Sequence, residues 1–330
     1  MPSRLREWRE AAGLTQADLA ARAGVSRQLV GAIEAGRHLP RVDAGLALAA
    51  ALGGDVATLF GPHPAAVDVV SGAVPPDGTL VRVGRVGERT VTAPARLGPE
   101  GWDVADGVAG GGTVTPFDTL APGFVVAGCE PGLQVLERQL REAGMAAVAA
   151  TASSRAAAAA LADGRVHAAV IHGPADRLPA PEIAVDRFLL SRWRVGLAAS
   201  PQRPGRWWEE VLAGAGPVVQ REEGAGVQRA FEEALGGTGP VPGPRVGSHV
   251  EAALRAMLTG LAAVTIEPAA LAVGAAFHPL EVHEAELWVD RRRLGERAVT
   301  AALEAIAGAR FQRRLAAVGG YDLAGTGSRR

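Results

Sequence analysis

Apolar residues recur at helical spacing through the first sixty positions, alternate over the next stretch, and then fall into continuous apolar blocks separated by helical segments. Leu5, Trp8 and Ala12 share one helical face, and Gly13 ends that helix. Thr15, with Asp18 three residues on, resembles a capping box for a second helix whose inner face is Leu19, Ala20 and Ala23. Gly24-Val25 turns the chain. Ser26 caps a third helix over Arg27–Ala35, with Val30 and Ile33 inward and Gly36 closing it. Asp43–Leu52 and Asp55–Phe60 complete a small bundle.

After Gly61-Pro62-His63-Pro64 the period changes. Thr79–Val86 alternates, and Arg89–Ala93 pairs with it across Gly87-Glu88, which predicts a hairpin. Trp102 and VAGGGTVTPF predict a second β pair, with Gly110-Gly111-Gly112 as a turn. Residues 65–120 thus read as a small β-rich subdomain. From Gly123, strands and helices alternate: Phe124–Ala127, Pro131–Ala143, Ala146–Ala150, Ser154–Ala162 and His167–Ile171 build a parallel α/β lobe. Val195–Ala199, Trp207–Ala213, Val218–Gln220, Val227–Leu235, Val246–Ser248, His249–Leu258, Ala263–Ile266 and Pro268–Val273 build another. Glu281–Val289 crosses back, and helices Ala298–Ile306 and Arg310–Val318 finish the first lobe. The fold class expected is multidomain: a helical bundle, a β-rich middle and a two-lobed α/β region with a cleft. Ligands in such sheets sit where strand carboxyl ends face helix N-termini.

Composition narrows the function. The net charge is -1, so DNA contact must come from a local surface. The single cysteine, Cys129, forbids an intrachain disulfide and fits a reducing cytosol. Met1–Glu10 has no apolar core of a signal peptide, and the apolar stretches are broken by Arg, Glu or Pro, so no membrane span is expected. The chain contains no lysine, which excludes a P-loop and a pyridoxal Schiff base.

Two helices joined by a short glycine turn form a helix-turn-helix. The stretch LTQADLAARAGVSRQLVGAIEAGRHLP resembles the XRE (Cro, phage-repressor-like) family over about the first fifth of the chain, residues 1–61. The resemblance implies double-stranded operator DNA as partner, with Arg27–Ala35 in the major groove. Ser26, Arg27 and Gln28 become base and phosphate contacts, while Gln16 and Arg37 touch phosphate. Arg can address guanine and Gln adenine through paired hydrogen bonds. Gly31 and Ala32 allow close approach. One module of this size implies a homodimer or higher homo-oligomer on a two-fold site. A bundle for protein contacts is the alternative, which packing alone explains poorly at Thr15-Gln16 and Ser26–Gln28.

Residues 122–327 resemble the PBP-like (type II periplasmic-binding-protein superfamily) domains fused to helix-turn-helix regulators and molybdopterin-synthesis proteins. VAGCEPGLQVL, SSRAAAAALADGRVHAAVIHG, REEGAGVQRAFEEAL, GSHVEAALRAMLTGLAAVTIEPAA and FQRRLAAVGGYDLAGTG carry the likeness. It implies a cleft lined by Cys129 and Glu130 after the first strand, and by Thr151, Ser153 and Ser154 before the second helix. Arg221, Gly224, Ala225 and Gly226 stand at one second-lobe helix start, Ser248 and His249 at another, and Glu267 after the last strand. Relatives tend to have His-Asp at Cys129-Glu130 and Gly-Ser-Gly-Thr at Gly224–Val227. The ligand implied is a small-molecule or oxyanion effector, such as molybdate or tungstate; an amino acid, carboxylate or pterin-like molecule is the rival. Each residue also has a plainer role: Ser153 and Ser154 as caps, Cys129 as buried filler, His249 as a first-turn residue, Glu267 as a helix-start acid, and Trp193, Trp207 and Trp208 as packing.

Catalysis is the weaker expectation. His283-Glu284 lacks the second histidine of a zinc protease, since Leu287 stands there. The other histidines are scattered, one cysteine excludes a cysteine zinc site, and no nucleophile elbow surrounds Ser153 or Ser154. Nothing in the sequence orients a Cys129–His pair, so no resident metal or cofactor is expected.

Overall fold

The computed structural model describes residues 5–60, 65–95, 97–98, 101–102, 105–118, 120–121, 123–237 and 239–330. The Gly61–Pro64 boundary and residues 1–4 lie outside them. The chain forms two compact units, 1–65 and 66–330.

The first unit holds α1 (Leu5–Ala11), α2 (Gln16–Ala23), α3 (Arg27–Glu34), α4 (Val42–Ala51) and α5 (Val56–Phe60). Thr15 caps α2 in a complete capping box with Asp18, and Gly24 ends it at φ 65°. Leu5, Leu14, Leu19, Val30, Ile33 and Leu48 form the core.

In the second unit, β1 (Val67–Asp68), β2 (Leu80–Val86), β3 (Arg89–Pro94), β6 (Gly107–Gly110) and β7 (Thr113–Pro116) make a sheet of order β1-β3-β2-β6-β7, and β4 (Leu97–Gly98) pairs with β5 (Gly101–Trp102). This layer shares a core with the first lobe. Val69, Val86 and Val91 pack with Val125, Val148 and Ile171. Gly84 on β2 lies so close that a Cβ there would meet Val125 at 2.5 Å. Buried Arg82 crosses the interface, donating to Glu137 at 2.9 Å and to the Ala149 carbonyl at 3.2 Å.

The first lobe contains β8 (Gly123–Gly128), α6 (Gly132–Glu142), β9 (Ala146–Thr151), α7 (Ser154–Ala162) and β10 (Ala168–Gly173). The chain continues through β11 (Val185–Ala199), α8 (Trp207–Leu212), β12 (Val218–Arg221), α9 (Gly226–Ala234), β13 (Arg245–Val246), α10 (His249–Thr259), β14 (Ala262–Ile266), α11 (Glu267–Ala272) and β15 (Ala276–Asp290). It ends in α12 (Arg297–Ala307), α13 (Ala309–Val318) and β16 (Tyr321–Asp322). The strand order is β13-β12-β14-β11-β15-β10-β8-β9.

β11 and β15 are longer than the pattern predicts at their N-terminal ends. They pair from Val185↔Asp290 to Ala199↔Ala276, with register shifts at Leu189/Ser191 and Val195/Gly196. One half of the pair meets β10 in the first lobe and the other meets β14 in the second. These two strands therefore carry the sheet from lobe to lobe. Their polar positions are matched across the pair: Arg187 with Glu286 and Arg192 with Glu284, each at 2.6 Å.

Candidate functional site

On the first unit, Gln16, Arg27, Gln28, Gly31, Ala32, Arg37 and His38 line one open groove. Ser26 stands at its edge as the N-cap of α3, accepting from the Leu29 amide at 3.1 Å. Arg27 and Gln28 are exposed on the first turn of α3. Gln16 donates through Nε2 to Glu34 at 2.9 Å, and Glu34 is held in turn by Arg9 at 2.7 Å. Arg9 also donates to the Leu14 carbonyl at 2.8 Å. This Arg9–Glu34 pair, which sequence reading missed, ties α1 to α3 and holds the Gln16 amide through Glu34. A helix presenting Arg and Gln from its first turn can put both on base edges.

In the second unit, a cavity of ≈ 60 Å³ lies where β8 and β9 end and α10 begins. Cys129, Glu130, Thr151, Ser248 and His249 line it, together with Gly128, Gln134 and apolar neighbours. First-lobe strand ends thus face a second-lobe helix start. Ser248 caps α10 through the Glu251 amide at 3.1 Å.

The other predicted residues lie around this cavity or away from it. Ser153 caps α7. Ser154 accepts from the His172 amide at 3.2 Å. Gly224 turns the chain at φ 78°, and Ala225 begins α9 without a side-chain cap. Gly226 lies against the rings of His172 and His283. Arg221 is buried and donates to His249, to the Val246 and Gly247 carbonyls, and to Glu222. Glu267 is not in the lining; it pairs with Arg194.

Glu130 is buried with both oxygens engaged. Oε1 accepts from the Gly132 amide at 2.8 Å and Tyr321 hydroxyl at 2.6 Å, and Oε2 from Trp193 Nε1 at 2.6 Å. Burial pushes its pKa up against the opposing pull of those donors. Trp193 lies on β11 and Tyr321 on β16, so one carboxylate ties the end of β8 to the interlobe strand and the C-terminal segment.

Three of the histidines are not scattered in space. His172, His249 and His283 are all buried and converge on Trp193, and His172 and His249 also reach Cys129. A single cysteine excludes only sites that need several thiolates. His172 Nδ1 lies 3.0 Å from His283 Nδ1, and His283 Nε2 lies 2.9 Å from a Glu281 oxygen. A carboxylate accepts, so neutral His283 carries its proton on Nε2 and accepts at Nδ1. His172 must then donate from Nδ1, which leaves its Nε2 lone pair free. Arg221 Nη1 lies 2.7 Å from His249 Nδ1. Arginine only donates, so neutral His249 carries its proton on Nε2. That nitrogen is buried without a hydrogen-bond partner.

Burial holds all three imidazoles below their ordinary range, His283 and Arg221 adding to the effect on His172, and Arg221 to that on His249. Burial also pushes the Cys129 thiol up to about 12. The unfolded chain takes up protons at these histidines below about pH 6.5, whereas the folded chain resists until lower pH. Their contribution to stability is therefore complete above that value and declines as pH falls through it. We expect the urea midpoint of the full chain to drop between about pH 7.5 and about pH 5.5, and less steeply in His249→Asn. Equal slopes in the two proteins would refute this.

Family comparison gives a helix-turn-helix domain over residues 3–59 and a PBP superfamily domain over residues 136–307. No curated protein matches the chain. Among solved structures, the restriction-modification controller protein C.AhdI from Aeromonas hydrophila is 42% identical, covering 17% of this chain and 86% of its own, with a TM-score of 0.17. An ABC-type phosphate transport receptor from Vibrio cholerae is 13% identical, covering 60% of this chain and 98% of its own, with a TM-score of 0.41. The effector-binding domain of a BenM variant is 13% identical, covering 61% and 98%, with a TM-score of 0.43. Among the described residues, no helix is long and apolar enough to cross a membrane.

Proposed function

Since the chain belongs to the PBP superfamily domain family and carries an XRE-like helix-turn-helix domain, we propose that it is a transcriptional regulator whose operator affinity is set by a small effector held between the two lobes. The observation that carries this reading is the cavity enclosed by first-lobe strand ends and the start of α10. Closure on an effector changes how the lobes meet, and the β11–β15 pair is the element that must bend. Two copies of the chain on a two-fold operator give the DNA contact its affinity. Coupling is reciprocal: an effector that shifts operator affinity is itself bound more or less tightly in the presence of operator, by the same factor.

An oxyanion such as molybdate or tungstate draws support from the starts of α9 and α10, where free amides favour negative charge. The charges nearby oppose it. The cavity lining includes Glu130 and no arginine, and Arg221 is engaged by Glu222, His249 and two carbonyls. A bare dianion meets a carboxylate there without a free cation. An organic acid meets the same opposition. Calorimetry with sodium molybdate on the full chain is therefore expected to give no saturable heat. Saturable heat that is abolished in Ser153→Ala/Ser154→Ala would restore the oxyanion. Catalysis by Cys129 is disfavoured because its thiol stays protonated at neutral pH.

A further inference from the structure

We propose that Cys129, His172 and His249 hold one divalent thiophilic cation of the zinc class across the cleft. Cys129 follows β8 and His172 lies on β10, both in the first lobe; His249 opens α10 in the second. One donor atom from each lies within 4.8 Å of the other two, and all three residues are buried. Zinc bonds of about 2.0–2.3 Å set tetrahedral donors roughly 3.3–3.6 Å apart. An inward movement of the donors by no more than about an ångström therefore completes the site.

The surroundings prepare the donors. His172 has its Nε2 lone pair exposed by the His283–Glu281 chain behind it, the kind of outer partner that orients a ligating imidazole. His249 Nε2 is a buried polar atom left without a hydrogen-bond partner. For Nε2 to coordinate, the His249 proton moves to Nδ1 while Arg221 keeps its bonds to Glu222 and to the Val246 and Gly247 carbonyls. The Cys129 thiol proton leaves as the ion enters, so the donors are one thiolate and two neutral imidazoles. The thiolate offsets one of the two positive charges, which lowers the cost of placing an ion there. Three protein donors leave a fourth position, and the cavity beside Cys129 and His249 gives it room for water or a small anion.

The link to DNA rests on the regulator reading; the metal site does not. The test is titration of the full chain with Zn(II) and Co(II). Expected are one ion per chain, release of about one proton per ion, and a near-ultraviolet cobalt–thiolate charge-transfer band. Cys129→Ser should abolish that band and weaken zinc by more than about 100-fold, beyond the effect of removing a group that only orients a ligand. His283→Gln should weaken zinc by about 10–100-fold with the band retained, and His278→Asn should change nothing. Absence of the band in the intact chain overturns the site, whatever any variant does. So does zinc affinity unaltered by both Cys129→Ser and His172→Asn. An operator complex that forms normally in a chain lacking the band leaves the DNA reading standing and removes only the metal.

Discussion

Replacing Glu130 by alanine is expected to lower the stability of the second unit by about 2–6 kcal/mol, because it strands the Trp193 and Tyr321 donors in the interior. For a unit of this size that is a fall in melting temperature on the order of 5–20 °C. Glutamine does not rescue it fully. The carboxylate accepts at both oxygens, and an amide must turn its own N–H₂ toward one of those donors. Tyr321→Phe removes one donor and costs about 0.5–1.5 kcal/mol, the range for a typical hydrogen bond. Because these hydrogen bonds join β8, β11 and β16, the loss should be one cooperative transition seen equally by tryptophan fluorescence and circular dichroism. A melting temperature within about 1 °C of the parent in Glu130→Ala would show that the carboxylate does not tie these elements together.

The residue that sequence reading assigned to a ligand therefore has a full set of protein partners. The reason lies in distance along the chain: Trp193 and Tyr321 are 63 and 191 residues from Glu130. Features set by neighbours were legible. The Thr15–Asp18 capping box, the Ser26 and Ser153 caps and the β2–β3 hairpin each follow from residues a few positions apart. The first half of β11 was hidden because its polar residues read as exposed until Glu284 and Glu286 arrive from β15 to pair with them.

The histidine cluster is the sharper case. His172 and His283 are 111 residues apart. They meet because β10 pairs antiparallel with β15, matching Gly173 with Glu284. His249 arrives on α10, and Arg221 on neighbouring β12 selects its tautomer. No spacing rule for metal ligands contains such a set. The second-lobe glycines behave likewise. Gly226 was read as an anion-holding helix start, yet it lies against the His172 and His283 rings. A Cβ there would stand in van der Waals contact with both imidazoles, at 3.4 Å from His283 and 3.6 Å from His172.

The other large effect concerns DNA. Arg27→Ala with Gln28→Ala should abolish a sequence-specific operator complex while leaving the fold intact. Each side chain can make a paired hydrogen bond to a base edge worth about 1–3 kcal/mol, so the two together represent about 2–6 kcal/mol per helix-turn-helix unit, roughly 30-fold to 10⁴-fold in affinity. Both are exposed and neither enters the Arg9–Glu34 pair or the apolar core. The melting temperature should therefore hold, since exposed changes away from such features stay within about 0.5 kcal/mol. The contrast with Arg37→Ala separates reading from anchoring. Removing the Arg37 guanidinium from a phosphate should weaken all duplexes alike and reduce the salt slope by about one, with the base preference unchanged. Glu34→Ala should do something different again: it releases both Arg9 and Gln16, loosens the bundle, and weakens DNA binding through stability rather than through the DNA interface itself. A double variant at Arg27 and Gln28 that still selects the parent's sequence from a random duplex pool would remove these residues from the reading head and transfer that role to another face of the bundle.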